Sequence, residues 1–296
     1  MLKLVILTLF LLITTFSYAR VEMRWLSVAS VFLDDGKTRI MIDPCFTRPG
    51  LMHWLNLEKI KSDEQNIRTI LTKYDIDRVN ALFISHSHFD HSIDATMVAK
   101  ITGGTLYVDR NSDRIAKAYK NSSIKRLMIS EMKTLQIGDF KITPIRRDHL
   151  PIKPFGVYFM PGEVPEDFDF DLWDYTEGET WMYYIVHPQG TILIDQTGDP
   201  RLEKISAFVT KADVLVQGVA NRVSDENIIN GYVTKLKPKV FIPTHYDNFF
   251  LDFKPEEPTV LLPFLKLQAL MEKVKVELPT SKVVVPKFNE KIVLFE

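Results

Sequence analysis

The sequence predicts an α/β sandwich in which helices cover the outer faces of two packed sheets. Three observations carry this reading. Short apolar or alternating runs bounded by turn residues recur in both halves, helically spaced apolar residues are interspersed among them, and 46% of the 296 residues are hydrophobic, enough for a sizeable core. A net charge of −1, from 37 Lys+Arg against 38 Asp+Glu, removes the electrostatic footprint of a protein that grips nucleic acid by its phosphates. The apolar content excludes disorder. The single cysteine, Cys45, excludes an internal disulfide framework and any cysteine-based zinc finger. That leaves the seven histidines as the residues whose positions say most.

At the start of the chain, Lys3 supplies a positive charge, residues 5–16 an apolar run and Ser17-Tyr18-Ala19 a small-x-small site. This is the pattern of a secretory signal over residues 1–19, cleaved after Ala19. The run is shorter than the ~20 residues that span a bilayer, so export with no integral membrane span is expected. Residues 20–296 show no repeat and no low-complexity linker and read as one domain. Strands are expected at 23–28, 30–33 and 38–42, with a turn at Asp34-Asp35-Gly36 and a stop at Asp43-Pro44. Residues 79–84 are an apolar run of buried-strand length. Ala95, Val98, Ala99 and Ile101 then recur at helical spacing until Gly103-Gly104. Strands follow at 105–108, at 135–137 and 140–145 joined around Gly138-Asp139, and at 181–186 and 191–194 joined across Pro188-Gln189-Gly190. Residues 214–216 and 240–242, each preceded by a helical stretch, complete the pattern.

The run at 79–84 feeds Ser85-His86-Ser87-His88-Phe89-Asp90-His91, which places three imidazoles and a carboxylate within six positions. Packing does not account for such density, whereas imidazole with carboxylate suits zinc, iron or manganese. A tight loop can set His86 and His88 on one ion and Asp90 and His91 on a second beside it. Two ions need about seven or eight protein ligands, so partners must arrive from other strand ends. His149 follows the 140–145 strand, Asp195 ends the 191–194 strand and His245 follows the 240–242 strand. His53 and His187 fit no part of this pattern and read as structural, and Cys45 reads as a small core residue. Asp43 is placed behind a ligand histidine, because a metal-bound imidazole usually donates its other N–H to a carboxylate or carbonyl.

Taken together, His86-x-His88-x-Asp90-His91, the lone His149, the strand-end Asp195 and Pro243-Thr244-His245 resemble the metallo-β-lactamase superfamily. The resemblance runs from Trp25-Leu26-Ser27-Val28-Ala29 through Ile42-Asp43-Pro44 to His245-Tyr246-Asp247. Within the superfamily, Phe46-Thr47-Arg48-Pro49 and His245-Tyr246-Asp247 are most similar to an exported branch akin to ascorbate-phosphate lactonases and lipid phosphodiesterases. The resemblance implies a four-layer αββα sandwich. It places His86, His88 and His149 on one metal and Asp90, His91 and His245 on the other, with a carboxylate between them. Asp195 is the candidate bridge, because a strand end is a rigid mount. Asp199 competes with it, since many relatives carry the bridging Asp just after a Gly.

Such a site implies a dinuclear hydrolase: a hydroxide bridging two divalent ions, zinc first and manganese or iron next, acting on an ester, lactone, amide or phosphodiester. Asp90 is expected to orient that hydroxide as well as to ligate, and Tyr246 or Asn248 to donate to the oxyanion. Arg48 reads as a surface or ion-paired residue rather than as an anion clamp. Residues 155–180 are rich in aromatics and, from Gly162, in acids unaccompanied by Lys or Arg. They are read either as a lid that favours neutral, apolar or cationic substrates or as a loop whose aromatics pack on the body of the domain. The expected partner is a small-molecule or lipid-like substrate. The alternatives are an exported metallo-β-lactamase opening β-lactam rings, whose all-histidine subclass lacks a bridging carboxylate, and a non-enzymatic exported binding protein. The signal sequence and the neutral charge discount nucleic acid as a partner.

Overall fold

The computed structural model describes residues 20–150, 159–196, 208–220 and 224–295, so the expected signal at 1–19 lies outside the described residues. Three strands open the chain: β1 (Glu22–Ser27), β2 (Ser30–Asp34) and β3 (Arg39–Ile42). Their alternation sorts side chains between two cores. Met23, Val31, Leu33, Ile40 and Ile42 face the second sheet. Leu26, Phe32 and Met41 face outward under the helices. Next come α1 (Leu51–Trp54), α2 (Glu64–Lys73), β4 (Ala81–Phe83), α3 (Phe89–Ser92), α4 (Ala95–Thr102), β5 (Thr105–Val108), α5 (Arg110–Ala118) and β6 (Arg126–Met128). The second half holds β7 (Leu135–Ile137), β8 (Phe140–Arg147), β9 (Thr180–His187), β10 (Gly190–Asp195) and β11 (Val214–Gly218). It ends with α6 (Asp225–Ile228), a π-helical turn (Ile229–Val233), α7 (Thr234–Leu236), β12 (Val240–Thr244), α8 (Leu267–Glu277), β13 (Lys282–Val283) and β14 (Ile292–Val293).

Among the described residues these strands form two seven-stranded sheets, ordered β14-β1-β2-β3-β4-β5-β6 and β13-β12-β11-β10-β9-β8-β7. Each begins antiparallel and turns parallel, at β3/β4 and at β10/β11. The expected sandwich is therefore the observed architecture. α2 and α4 cover the first sheet through Ile67, Ile70, Leu71, Val98 and Ala99. α6, α7 and α8 pack on the second through Ile228, Leu236, Leu270 and Val274. Local chemistry sets the helix ends: the Asp63 carboxylate accepts from Asn66 N at 3.0 Å to start α2, and Gly103 at φ 72° stops α4.

One polar tie fixes the segment that follows β3. Asp94, fully buried at the start of α4, accepts from Phe46 N (2.6 Å), Thr47 N (2.7 Å) and Thr47 Oγ1 (2.7 Å). Burial raises its carboxyl pKa, and the three donors oppose that rise. Replacing Asp94 by Ala orphans all three donors, at about 1–3 kcal/mol for each buried group. The expected outcome is a drop in unfolding free energy of about 3 kcal/mol or more by urea titration, with a smaller drop for Asp94→Asn. A loss below about 1 kcal/mol in Asp94→Ala would show that this tie is not what holds the segment.

Candidate metal centre

The strand pattern brings the ligand-bearing chain ends to one edge. β3 and β4 are parallel, and so are β10, β11 and β12, with β8 aligned to them through β9. Their carboxyl ends carry Asp43, the 85–91 loop, His149, Asp195 and His245, the edge of an open α/β sheet where ligands bind. Two groups of three side chains form there. The donor atoms of His86, His88 and His149 lie within 4.8 Å of one another, as do those of Asp90, His91 and His245. All six residues are buried. His86 joins the groups, with its ring 3.9 Å from that of His91 and 4.7 Å from that of His149.

The hydrogen bonds behind the rings leave a bare nitrogen in front. His88 Nε2 donates to Met160 O at 3.3 Å, which frees Nδ1. His149 Nδ1 donates to Leu150 O at 2.8 Å and His91 Nδ1 to Asp43 Oδ2 at 2.9 Å, which frees both Nε2 atoms. Ser85 Oγ gives its proton to Asp43 Oδ2 at 2.6 Å, so it accepts from His86 Nδ1 at 3.1 Å. Tautomers assigned in this way turn His86 Nε2 to His88 Nδ1 at 3.0 Å and His91 Nε2 to His245 Nε2 at 3.1 Å. Asp90 Oδ2 completes the second group, 3.2 Å from His245 Nε2 and 3.5 Å from His91 Nε2. Two ligands of one tetrahedral ion, each ~2.0–2.1 Å from it, stand about 3.3–3.4 Å apart. The observed separations fall around that value, and facing lone pairs at such distances repel unless a cation or a proton lies between them. The donor set therefore fits divalent metal.

Electrostatics agree for the first group. Burial, with the neighbouring imidazoles, holds His86 well below its ordinary pKa. Burial pulls His88 down to about 4 and His149 to about 3, so these rings stay neutral, the form that ligates. Burial also opposes a charge on His91 and on Asp90. The Asp90 and Asp43 carboxylates nevertheless raise His91, while the His91 and His245 imidazoles hold Asp90 below the usual carboxylate range.

Backbone shape is part of the site. Asp43 (φ 50°), His245 (φ 57°) and Val28 (φ 44°) occupy the left-handed region, which is costly for a β-branched residue such as Val28. Val28 is clamped: its N–H donates to Asp247 Oδ1 at 3.0 Å, and its carbonyl accepts from His245 N at 2.7 Å and Trp25 Nε1 at 2.6 Å. Gly178 (φ 63°) passes so close to the 85–91 loop that a Cβ there would meet Ser87 Oγ at 2.3 Å. Ser87 N in turn donates to Glu177 O at 3.0 Å.

Several expectations are met and two are corrected. Asp43 stands behind His91 as expected. Arg48 is ion-paired, with Nη2 3.3 Å from Asp247 Oδ2 and 2.6 Å from Ser27 Oγ. Cys45 is a buried core residue. His53 closes the first turn of α1 by accepting from Gly50 N at 2.9 Å. His187 lies at the far end of the sandwich beside Asp35 and Asp139. There Gln189 N donates to His187 Nδ1 at 3.3 Å, so Nε2 carries the proton and offers no lone pair. Tyr246 is the first correction. Its hydroxyl donates to Pro286 O and its ring packs 4.3 Å from Trp25, which removes it as an oxyanion donor. Asn248 Oδ1 accepts from Phe250 N at 3.2 Å. Asp195 is the second. The structure gathers it into neither group of ligands, its carboxylate accepts from Tyr232 Oη, and Oδ2 lies 3.7 Å from Arg147 Nε. The strand end is rigid, as argued, but it points the carboxylate at the π-helical turn. Asp199 lies outside the described residues.

The acidic segment, described from residue 159, packs on the body. Val164, Phe168, Phe170, Leu172 and Tyr175 are buried. Glu163 pairs with Arg110, Arg114 contacts both Glu163 and Glu166, and Asp169 and Asp171 pair with Lys59. Four of its acids thus face α5 or Lys59, and Glu179 pairs with Arg146. Residues 155–158 lie outside the described residues.

A family model described as a beta-lactamase superfamily domain matches residues 22–245. The chain is 24% identical over 242 residues to a UPF0173 metal-dependent hydrolase of Anaeromyxobacter sp. (strain K), covering 78% of this chain and 76% of that one. Among solved structures it is similar to Igni18, a metallo hydrolase of the archaeon Ignicoccus hospitalis, with a TM-score of 0.58 at 16% identity, covering 92% of this chain and 97% of that one. It is also similar to the metallo-beta-lactamase fold protein YhfI of Bacillus subtilis, with a TM-score of 0.58 at 12% identity, covering 92% and 99%. At these identities the two structures attest the fold.

Asp43→Asn keeps the shape of the side chain behind His91 but removes its charge and one acceptor. The expected outcome is a loss of about 10- to 100-fold in metal affinity, measured by competition with a chromogenic chelator. An unchanged affinity would show that Asp43 does not support the ligand set. Asp195→Asn is expected to leave metal stoichiometry unchanged by elemental analysis, and the loss of an ion would return Asp195 to the bridge.

Proposed function

The chain belongs to the beta-lactamase superfamily, and on that footing we propose that it is a dinuclear metal-dependent hydrolase in which His86, His88 and His149 hold one divalent cation and Asp90, His91 and His245 the other. The observation that carries this reading is the pair of buried three-residue groups whose bare donor atoms face one another at ligand spacing. When bound, such ions supply an activated water and polarise the oxygen of the bond under attack. Zinc is the first choice for an all-nitrogen and oxygen set, with manganese and iron next.

The chain's own residues do the rest. Met160 O, Leu150 O, Ser85 Oγ and Asp43 fix the tautomers of His88, His149, His86 and His91, so that these four rings need not turn before they can ligate. Asp90 places a negative charge among the imidazoles of the second group, with Oδ2 3.2 Å from His245 Nε2 and 3.5 Å from His91 Nε2, and a carboxylate so placed is the group to orient an attacking water. Burial of all six residues keeps bulk water from competing for these contacts. The substrate bond is an ester, lactone, amide or phosphodiester of a small or lipid-like molecule. Residues 1–19 act as an export signal, and 20–296 form the mature hydrolase domain in the periplasm or outside the cell. Among the described residues no helix is long and apolar enough to cross a membrane.

The purified mature chain is expected to carry about two metal ions per molecule by inductively coupled plasma mass spectrometry. His88→Ala and His245→Ala are each expected to lower that number and to cut hydrolysis at least about 100-fold. Removing metal with a chelator is expected to abolish turnover of aryl esters, lactones and bis-aryl phosphodiesters, and zinc to restore it. Turnover that survives complete demetallation would overturn the proposal.

A further inference from the structure

A chain of aromatic rings leaves one ligand group and returns to the other. The Phe159 ring meets the edge of His88 at 5.8 Å, and Trp173 meets Phe159 at 6.2 Å. Trp54 lies 5.8 Å from Trp173 and 5.6 Å from Phe250. Phe250 packs on Phe249 at 4.6 Å, and Phe249 meets His245 at 5.2 Å. The circuit therefore joins His88 of the first group to His245 of the second by rings alone, contributed by α1, by the packed segment at 159–180 and by the loop after β12.

Phe249 is buried and Trp54 and Phe159 pack against the same core cluster, but core packing does not account for the outer rings. Trp173 is 45% exposed and Phe250 51% exposed, and beside them α1 and its exit present Leu51 at 71% and Leu55 at 56%. Apolar surface of this extent around a site marks a binding wall. The faces of the wall are rings, and several acids of the same segment are turned to cations elsewhere, Glu163 to Arg110, Glu166 to Arg114 and Asp171 to Lys59. An ionic group gains nothing from it, while an alkyl chain or an aryl ring gains both area and edge-to-face contact.

We infer that the Trp54, Phe159, Trp173, Phe249 and Phe250 wall seats an uncharged apolar acyl or aryl group that flanks the bond at the metal groups. The inference deepens the hydrolase reading and rests on it. Its test separates the two. The zinc-loaded chain is titrated calorimetrically with acetate and with octanoate, which share a head group and differ only in the length that can lie on the wall. Each buried methylene is worth roughly fourfold in affinity, so octanoate should bind at least about 50-fold more tightly even if only half its chain is covered. Trp54→Ala, and Phe250→Ala at a half-exposed position whose loss does not threaten the fold, should each reduce that ratio at least about fivefold and leave acetate binding unchanged.

A wild-type ratio below about five, or a ratio unmoved in both variants, would overturn the wall. Turnover is scored separately with p-nitrophenyl acetate and octanoate. Chain-length discrimination in binding without turnover of these esters or of any lactone, amide or phosphodiester would remove the hydrolase and keep the wall. Turnover with no chain-length preference in either kcat/KM or binding would keep the hydrolase and remove the wall. Co-sedimentation with dioleoylphosphatidylcholine vesicles that is lost in Phe250→Ala would identify a lipid as the source of the chain. Octanoate binding without co-sedimentation would identify a free amphiphile. Both of these results support the wall.

Discussion

The buried carboxylate of Asp43 is the constraint on which the rest of the site depends. It has no access to solvent, so its charge has to be met by donors within the fold. Three meet it: Ser85 N at 2.6 Å, Ser85 Oγ at 2.6 Å and His91 Nδ1 at 2.9 Å. The first two bind the exit of β3 to the exit of β4, so the polar loop cannot drift from the sheet. The third turns His91 so that Nε2 faces Asp90 and His245. Because Ser85 spends its proton on Asp43, its oxygen is left to accept from His86, and one carboxylate thereby orients a ring in each ligand group.

Strain is placed around this hub and held there by the neighbouring structure. The left-handed backbone at Asp43 and His245 lets the chain leave a strand and turn its side chain back over the sheet edge within one residue. Val28 accepts the same conformation because Asp247, Trp25 and His245 occupy its backbone groups together. Buried imidazoles with depressed proton affinity follow from the same enclosure. The fold pays desolvation to keep lone pairs available rather than to stabilise itself, which is the usual signature of a functional cluster.

The segment between β8 and β9 shows how local composition and tertiary context separate. Its acids suggest a negative rim, yet α5 and Lys59 neutralise several of them, and its buried rings anchor it. Backbone contacts from Glu177 and Met160 reach Ser87 and His88, so this packed segment is a wall of the candidate metal-binding groups as much as a cover. What it adds to the site is apolar surface and rigidity.

Much of this was legible in the chain itself. The density of imidazole and carboxylate at 86–91 is improbable for packing, and strand ends at 149 and 245 are visible from alternation, so six ligand candidates and the support role of Asp43 needed no coordinates. The sandwich was equally readable, because β2, β3, β5 and β8 to β12 carry their own hydrophobic pattern. β6, β13 and β14 do not: two or three residues hold no period, and they become strands only because a neighbouring edge satisfies their amides. Side-chain direction was the other limit. Asp195 and Tyr246 occupy the positions expected of functional groups, yet Tyr232 draws one away and Pro286 the other, from residues 37 and 40 positions distant in the chain. Sequence determines which chemical groups reach an edge of the sheet, since that follows from local period and length. Which way each group points there is decided by partners remote in sequence, and only the packed chain brings those together.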